Sequence, residues 1–120
     1  MASRTHDLGA AADFAGGGLH RVEVEGRGLV VLRRGETFIA LRDVCPHQGA
    51  RLSDGQLGGT PLPCRPGEEI AYGRMGEVLT CPWHGWEFDV GTGQALANPQ
   101  ARVRTYPVRR AGERLLVELS

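Results

Sequence analysis

Two short stretches, Cys45-Pro46-His47-Gln48-Gly49 and Cys81-Pro82-Trp83-His84-Gly85-Trp86, hold the residues that decide the fold and the chemistry of this chain. Each stretch supplies one thiolate and one imidazole, spaced Cys-x-His in the first and Cys-x-x-His in the second. Two thiolates and two imidazoles suit either one Zn²⁺ ion or a dinuclear iron–sulfur centre. The sequence therefore predicts a metal site, and its candidate ligands are Cys45, His47, Cys81 and His84.

The mixing of ligand types within each stretch favours the iron–sulfur interpretation. A Cys₂His₂ zinc finger has its Cys pair on a turn and its His pair on a helix. Here Cys and His share each stretch, and the Pro and Gly residues of both stretches disfavour a helix at the His. A centre with one iron held by two Cys and the other by two His needs this mixing, because each stretch must reach both irons. A zinc-binding or cluster-free interaction module remains the alternative.

The two motifs resemble the cluster-binding motifs of the Rieske family, in the form found in bacterial Rieske ferredoxins and ring-hydroxylating oxygenases. The similarity extends through Gly91-Thr92-Gly93 and, with the pattern of strands around it, covers residues 19–119. It implies antiparallel strands in two sheets and an inserted subdomain that carries both loops at its tip. It also implies one Rieske-type [2Fe–2S] cluster on the four candidate ligands.

The resemblance is to the ferredoxin type and not to the cytochrome bc type of the family. Members of the bc type join their loops by a disulfide, but Ala50 and Trp83 occupy the matching positions here, so we expect no disulfide. Trp86 and Phe88 occupy the positions where the bc type has Ser and Tyr hydroxyls that raise the potential. Without those hydrogen bonds, we expect a potential below about 0 mV, toward the low end of the Rieske span of about −150 to +300 mV.

The rest of the chain reads as short strands separated by turns, because 18 Gly and seven Pro interrupt it throughout. No segment keeps the 3.6-residue period of a long helix, and only residues 5–15 are expected to form a turn or two of helix. Alternating or β-rich runs predict strands at residues 19–25, 29–33, 37–41, 77–80, 86–90, 102–108 and 114–119. The last two runs are expected to pair. The pattern predicts an all-β antiparallel sandwich or barrel.

We expect an N-terminal segment over residues 1–18 and a single domain over residues 19–120, with cluster loops at 45–49 and 81–86. Between these loops, residues 54–76 contain six Gly, three Pro and Cys64, which predicts a long inserted loop that is either functional or mobile. There are 33 residues between His47 and Cys81, more than the resembled ferredoxins have. Cys64 is expected to be a free thiol, because four ligands already complete the cluster.

Composition excludes several classes of function. Formal net charge is zero, with 14 basic and 14 acidic residues, so no strong field favours nucleic acid or an anionic membrane. No apolar run reaches the roughly 20 residues that span a bilayer, and residues 1–9 lack the pattern of a secretory signal. We therefore expect a cytoplasmic protein that binds neither nucleic acid nor membrane.

These features predict a one-electron carrier that passes electrons from a reductase to a terminal oxygenase. Rieske oxygenases perform their chemistry at a separate iron, and only His6 and His20 would remain to bind one here. We therefore assign no catalytic residue, and expect catalysis to belong to a partner protein. The alternative function is a tightly bound iron–sulfur subunit of a larger oxidoreductase, similar to the small subunit of nitrite reductases.

Overall fold

The computed structural model describes residues 4–14, 18–34, 36–46, 49–61, 66–67, 72–82, 85–98 and 100–119, without side chains at 59–61 and 72–76. The strands of this part are β1 (Arg4–Ala10), β2 (His20–Val24), β3 (Arg27–Arg34), β4 (Thr37–Arg42), β5 (Gln56–Pro61), β6 (Tyr72–Thr80), β7 (Glu87–Asp89), β8 (Thr105–Tyr106), β9 (Val108–Ala111) and β10 (Arg114–Leu119). Two 3₁₀ turns, Ala11–Phe14 and Leu52–Asp54, complete its regular structure. Within the described residues no helix is long and apolar enough to cross a bilayer.

The strands form three antiparallel sheets, which confirms the predicted all-β class. Their orders are β1-β10-β9, β2-β3-β4-β8 and β5-β6-β7. Strands β2, β3 and β4 lie at the predicted runs 19–25, 29–33 and 37–41, and they follow one another as hairpins. In the third sheet, β5-β6-β7, the second Cys/His stretch joins β6 to β7, because Cys81 directly follows β6 and Trp86 directly precedes β7.

Strand β3 lies between two hydrophobic cores. Its side chains alternate between them, with Val30 and Leu32 on one side and Leu29 and Val31 on the other, all fully buried. We call the first the cysteine core, and its buried members are Val30, Leu32, Leu41, Cys45, Leu52, Leu79, Cys81, Phe88, Val90, Ala95 and Val103. We call the second the terminal core, and its buried members are Ala11, Phe14, Val24, Leu29, Val31, Ala40, Tyr106, Leu115, Val117 and Leu119.

The predicted strand at residues 102–108 is divided at Pro107, and its predicted pairing with 114–119 was wrong for most of its length. Residues before the proline pair with β4, where Ala40 is opposite Tyr106. Residues after it pair with β10, where Val108 is opposite Val117. Proline has no N–H to donate to a ladder, so the chain leaves one sheet and enters the other at this position.

The helical turns expected at residues 5–15 were also wrong for the most part. Residues 4–10 form β1, which pairs with β10 from Arg4 opposite Leu119 to Ala10 opposite Arg114. Only Ala11–Phe14 is helical, as a single 3₁₀ turn whose Phe14 enters the terminal core. The N-terminal segment thus contains a strand of the β1-β10-β9 sheet, and the domain division after residue 18 stays a prediction.

The expected long loop at residues 54–76 contains two paired strands. Gln56 is opposite Thr80 and Leu57 is opposite Leu79, while Pro61 is opposite Tyr72 farther out. Between these two parts the register shifts at residues 58–60, so the ribbon is irregular in its middle. Cys64 lies outside the described residues.

Candidate metal centre

The two Cys/His stretches have the same backbone closure. The Cys45 N–H donates to the Ala50 carbonyl at 2.8 Å, and the Cys81 N–H donates to the Trp86 carbonyl at 2.7 Å. In both cases the acceptor is five residues after the cysteine. Each stretch is therefore a closed six-residue loop, and we call residues 45–50 the first cysteine loop and residues 81–86 the second.

A left-handed glycine occupies the same position in each loop. Gly49 has a φ of 76° and Gly85 a φ of 68°, and each is four residues after its cysteine. No described atom lies within 4 Å of where a Cβ would be placed on either glycine. The left-handed backbone conformation therefore favours glycine at these two positions.

Both cysteines are buried in the same core. Cys45 is 1% exposed and Cys81 is 2% exposed, and both belong to the cysteine core. Cys45 lies shortly after β4, whereas Cys81 lies between β6 and β7. Phe88 of β7 is fully buried in that core, and Trp86 stacks on it with ring centroids 6.3 Å apart. The sheets thus bring the two sulfur-bearing loops to one apolar region.

The 3₁₀ turn Leu52–Asp54 and Gly55 connect the first loop to the second. A Cβ on Gly55 would lie 1.9 Å from the carbonyl oxygen of Thr80, the residue before Cys81. This approach is possible only without a side chain at position 55. A cavity of about 360 Å³ lies beside it, lined by residues 54–56, 80–82 and 85.

A buried charge lies at the start of the first loop. Asp43 is 1% exposed, and its carboxylate accepts hydrogen bonds from Arg21 Nη1 at 2.6 Å, from the Ser53 N–H at 2.6 Å and from Ser53 Oγ at 2.5 Å. The hydrogen bond to Asp43 raises the pKa of Arg21 above its ordinary value, and Arg21 Nη1 lies 2.6 Å from the Asp43 carboxylate. Sequence reasoning missed Asp43, because its partners Arg21 and Ser53 are 22 and 10 residues away in the chain.

The structure does not describe the two predicted histidine ligands. His47, Trp83 and His84 lie outside the described residues. Elsewhere in the described chain, no group of three or more His, Cys, Asp or Glu residues is arranged to hold a metal ion. His20 lies on β2, as expected, with its ring edge-on to Phe14.

The donor set fits an iron–sulfur cluster. Thiolates are the ligands that such clusters use, and the two described cysteines are buried from water and held in loops of matching construction. Each loop also contains a histidine in its sequence, His47 in the first and His84 in the second. The two loops can therefore offer one thiolate each, and their sequences include one imidazole each.

Comparisons with known proteins agree with this chemistry. The family model described as Rieske [2Fe–2S] domain matches residues 4–107. The chain is 31% identical to the ferredoxin component of the naphthalene 1,2-dioxygenase system of Pseudomonas aeruginosa, over 100% of both chains. A chain in a solved complex of reduced oxygenase and oxidized ferredoxin in carbazole 1,9a-dioxygenase is 29% identical, with a TM-score of 0.71 over 94% of this chain and 91% of that one.

A second solved structure, with lower sequence identity, is similar in fold alone. The putative NADH-dependent nitrite reductase small subunit from Mycobacterium tuberculosis superposes with a TM-score of 0.77 at 22% identity. The superposition covers 100% of this chain and 98% of that chain. The same arrangement of strands is therefore present in proteins with different assignments.

Proposed function

The chain belongs to the Rieske [2Fe–2S] domain family and is an electron carrier, and we propose that it serves a ring-hydroxylating oxygenase system. In that system it would accept one electron at a time from a reductase and deliver it to a terminal oxygenase. The observation that carries this proposal is the full-length similarity to a dioxygenase ferredoxin component, together with two matched loops that each contain a buried cysteine.

The proposed ligands of the cluster are Cys45, His47, Cys81 and His84. Cys45 and Cys81 would hold one iron, and His47 and His84 would hold the other. When bound, the cluster supplies a one-electron reduction that no side chain of the protein can perform. The protein contributes the closed loops, which fix the positions of the sulfurs, and the apolar core, which excludes water from the cysteine side.

The side chains near the second loop favour a low reduction potential. Phe88 is fully buried and has no hydroxyl, and the half-buried Trp86 stacks on it. Neither residue can donate an O–H hydrogen bond to a sulfur, and such bonds raise the potential of a cluster. We therefore expect a midpoint potential below about 0 mV, within a Rieske span of about −150 to +300 mV, measured by potentiometric titration of the purified protein.

The proposed partners follow from the relatives. One relative is named as a ferredoxin component of a dioxygenase system, and a similar chain occurs in a complex of oxygenase and ferredoxin. We propose the same pair of partners for this chain, a reductase and a terminal oxygenase, and a location in the cytoplasm. We further propose that Cys64, like Cys45 and Cys81, forms no disulfide.

Two measurements test the function. The purified protein should contain two irons per chain, and its reduced form should give a low-g electron paramagnetic resonance signal. A colourless zinc protein would contradict the proposal. In a reconstituted electron-transfer system, adding the protein should carry electrons from a ferredoxin reductase to an oxygenase. For a transient complex, the rate of this electron transfer should fall as the salt concentration rises. Isolation at fixed stoichiometry with a larger oxidoreductase would favour the subunit alternative instead.

A further inference from the structure

We infer that Asp43 is a positioning residue of the metal centre, whose buried carboxylate, balanced by Arg21, ties the two cysteine loops together and contributes to the reduction potential. This inference rests on the proposed function, because it assumes that the loops hold a redox cluster. It concerns residues outside the predicted ligand set. The nearest ligand in the chain is Cys45, two residues after Asp43.

Three hydrogen bonds hold the Asp43 carboxylate. Asp43 receives hydrogen bonds from Arg21 on β2 and from both the backbone and the side chain of Ser53. Its own N–H donates to the Gly28 carbonyl of β3 at 2.9 Å. One residue at the entrance of the first loop is thereby joined to two strands and to the 3₁₀ turn.

The place of Arg21 is built into the neighbouring strand. A Cβ on Gly28 would lie 2.5 to 2.7 Å from three atoms of the Arg21 guanidinium. The guanidinium therefore lies flat over a glycine, in space that any other residue would occupy. The guanidinium thus lies between Gly28 and the Asp43 carboxylate, which it contacts at 2.6 Å.

The contacts that begin at Asp43 continue to the second cysteine loop. Ser53 belongs to the turn Leu52–Asp54, and Gly55 after it approaches the Thr80 carbonyl so closely that no side chain fits between them. Thr80 directly precedes Cys81. A path of direct contacts thus runs from Asp43 through Ser53 and Gly55 to the second loop, so the separation of the two cysteine loops depends on this path.

The Asp43–Arg21 pair also has an electrostatic effect on the proposed centre. Asp43 has a fully buried side chain, while that of Arg21 is 27% exposed, so the ion pair places a negative charge inside the protein near Cys45 and its compensating positive charge nearer to water. Charges in a region of low dielectric act on a redox centre more strongly than they do in water. Removing the carboxylate should favour the reduced centre, and removing the guanidinium should favour the oxidised one.

The experiment compares Asp43→Asn and Arg21→Gln in the cluster-loaded protein. We expect the midpoint potential to rise in Asp43→Asn and to fall in Arg21→Gln, with the double variant between them. Arg21→Lys keeps the positive charge and should return the potential toward that of the unmodified protein. A purely structural role would admit water in both variants and shift both potentials in the same direction.

The matched control is another Asp–Arg pair among the described residues, Asp7 and Arg114, which joins β1 to β10 and whose side chains are 47% and 55% exposed. Asp7→Asn and Arg114→Gln make the same charge changes away from the loops and should leave the potential unchanged. Shifts as large in the control pair, or shifts of one sign in both Asp43→Asn and Arg21→Gln, would overturn the inference.

Ser53→Ala keeps the inference testable if the two charge variants fail to fold. It removes only the Oγ–H donor to the carboxylate, so the carboxylate is less neutralised, and the potential should fall by less than in Arg21→Gln. An unchanged potential and an unchanged electron paramagnetic signal in Ser53→Ala would then overturn the inference. If the unmodified protein holds no iron, the proposed function itself fails, and that outcome is distinct from these.

Discussion

The cysteine core and the terminal core share strand β3, but they are stabilised in different ways. In the terminal core, buried residues occur at alternating positions of regular strands, such as Leu115 and Val117 of β10. In the cysteine core, close backbone contacts and a buried charge accompany the apolar packing, as at Gly55 and Asp43.

The difference shows which parts of the molecule tolerate substitution. A regular strand fixes only which face a residue points to, so its buried positions accept other apolar residues of similar volume. A loop that must place a sulfur depends on one particular residue at several positions. Gly93, in the turn after β7, depends on glycine in the same way, because a Cβ there would lie 2.1 Å from the Val103 carbonyl, and its φ is 78°.

The largest expected effect comes from creating a cavity in each core. Leu79→Ala in the cysteine core and Leu115→Ala in the terminal core both truncate fully buried side chains. Each should lower the free energy of unfolding by about 2–5 kcal/mol, measured by urea denaturation. Only Leu79→Ala should also change the midpoint potential, because Leu79 is two residues before Cys81. An equal change of potential in Leu115→Ala would remove the functional distinction between the two cores.

The next effect tests the close contact beside the second loop. Gly55→Ala forces a methyl group against the Thr80 carbonyl, so we expect a loss of about 1–3 kcal/mol in unfolding free energy and reduced iron content after purification. The control is Gly58→Ala in β5, the strand that begins directly after Gly55, where no described atom lies within 4 Å of the added Cβ. That variant should change stability by no more than about 0.5 kcal/mol. Normal iron loading of Gly55→Ala would show that the second loop does not depend on this contact.

The sequence was sufficient for the features that depend on local residues. Hairpins β2-β3-β4 follow from β-rich runs separated by turn residues, and the two cysteine loops follow from Pro and Gly beside the candidate ligands. The alternation of Leu115, Val117 and Leu119 puts them on one face of a strand, and all three are buried in the terminal core. In each case the signal lies within a few residues of the feature.

What could not be predicted depends on contacts between distant residues. Whether residues 102–108 pair with β4 or with β10 is a choice between two sheets, and only the proline at 107 hinted at the division. Asp43 looks like an ordinary polar residue until Arg21 and Ser53 are brought to it by the fold. The pairing of β1 with β10 joins nearly the two ends of the chain, and no local pattern specifies it.

The smallest expected effect concerns how the free energy of unfolding depends on pH through Asp7, which joins β1 to β10. Hydrogen bonds from Arg114 and from the Gly9 N–H lower the pKa of Asp7 below its ordinary value. A carboxylate with a lowered pKa in the folded protein stabilises it above the ordinary pKa of about 3.9, and this stabilisation is lost as pH falls through the lowered value. Asp7→Asn should therefore be less stable than the unmodified protein at neutral pH, and the difference should vanish in strong acid.

Urea denaturation at neutral and at acid pH measures this difference. Glu113→Gln is the control, because it removes a carboxylate for which the described residues provide no ion-pair partner, and its stability should stay close to that of the unmodified protein. Asp7 joins β1 to β10 on the terminal side, so the iron content and visible spectrum of Asp7→Asn should not change. A changed spectrum would mean that the metal centre responds to β1, and the two cores would then be energetically coupled through β3.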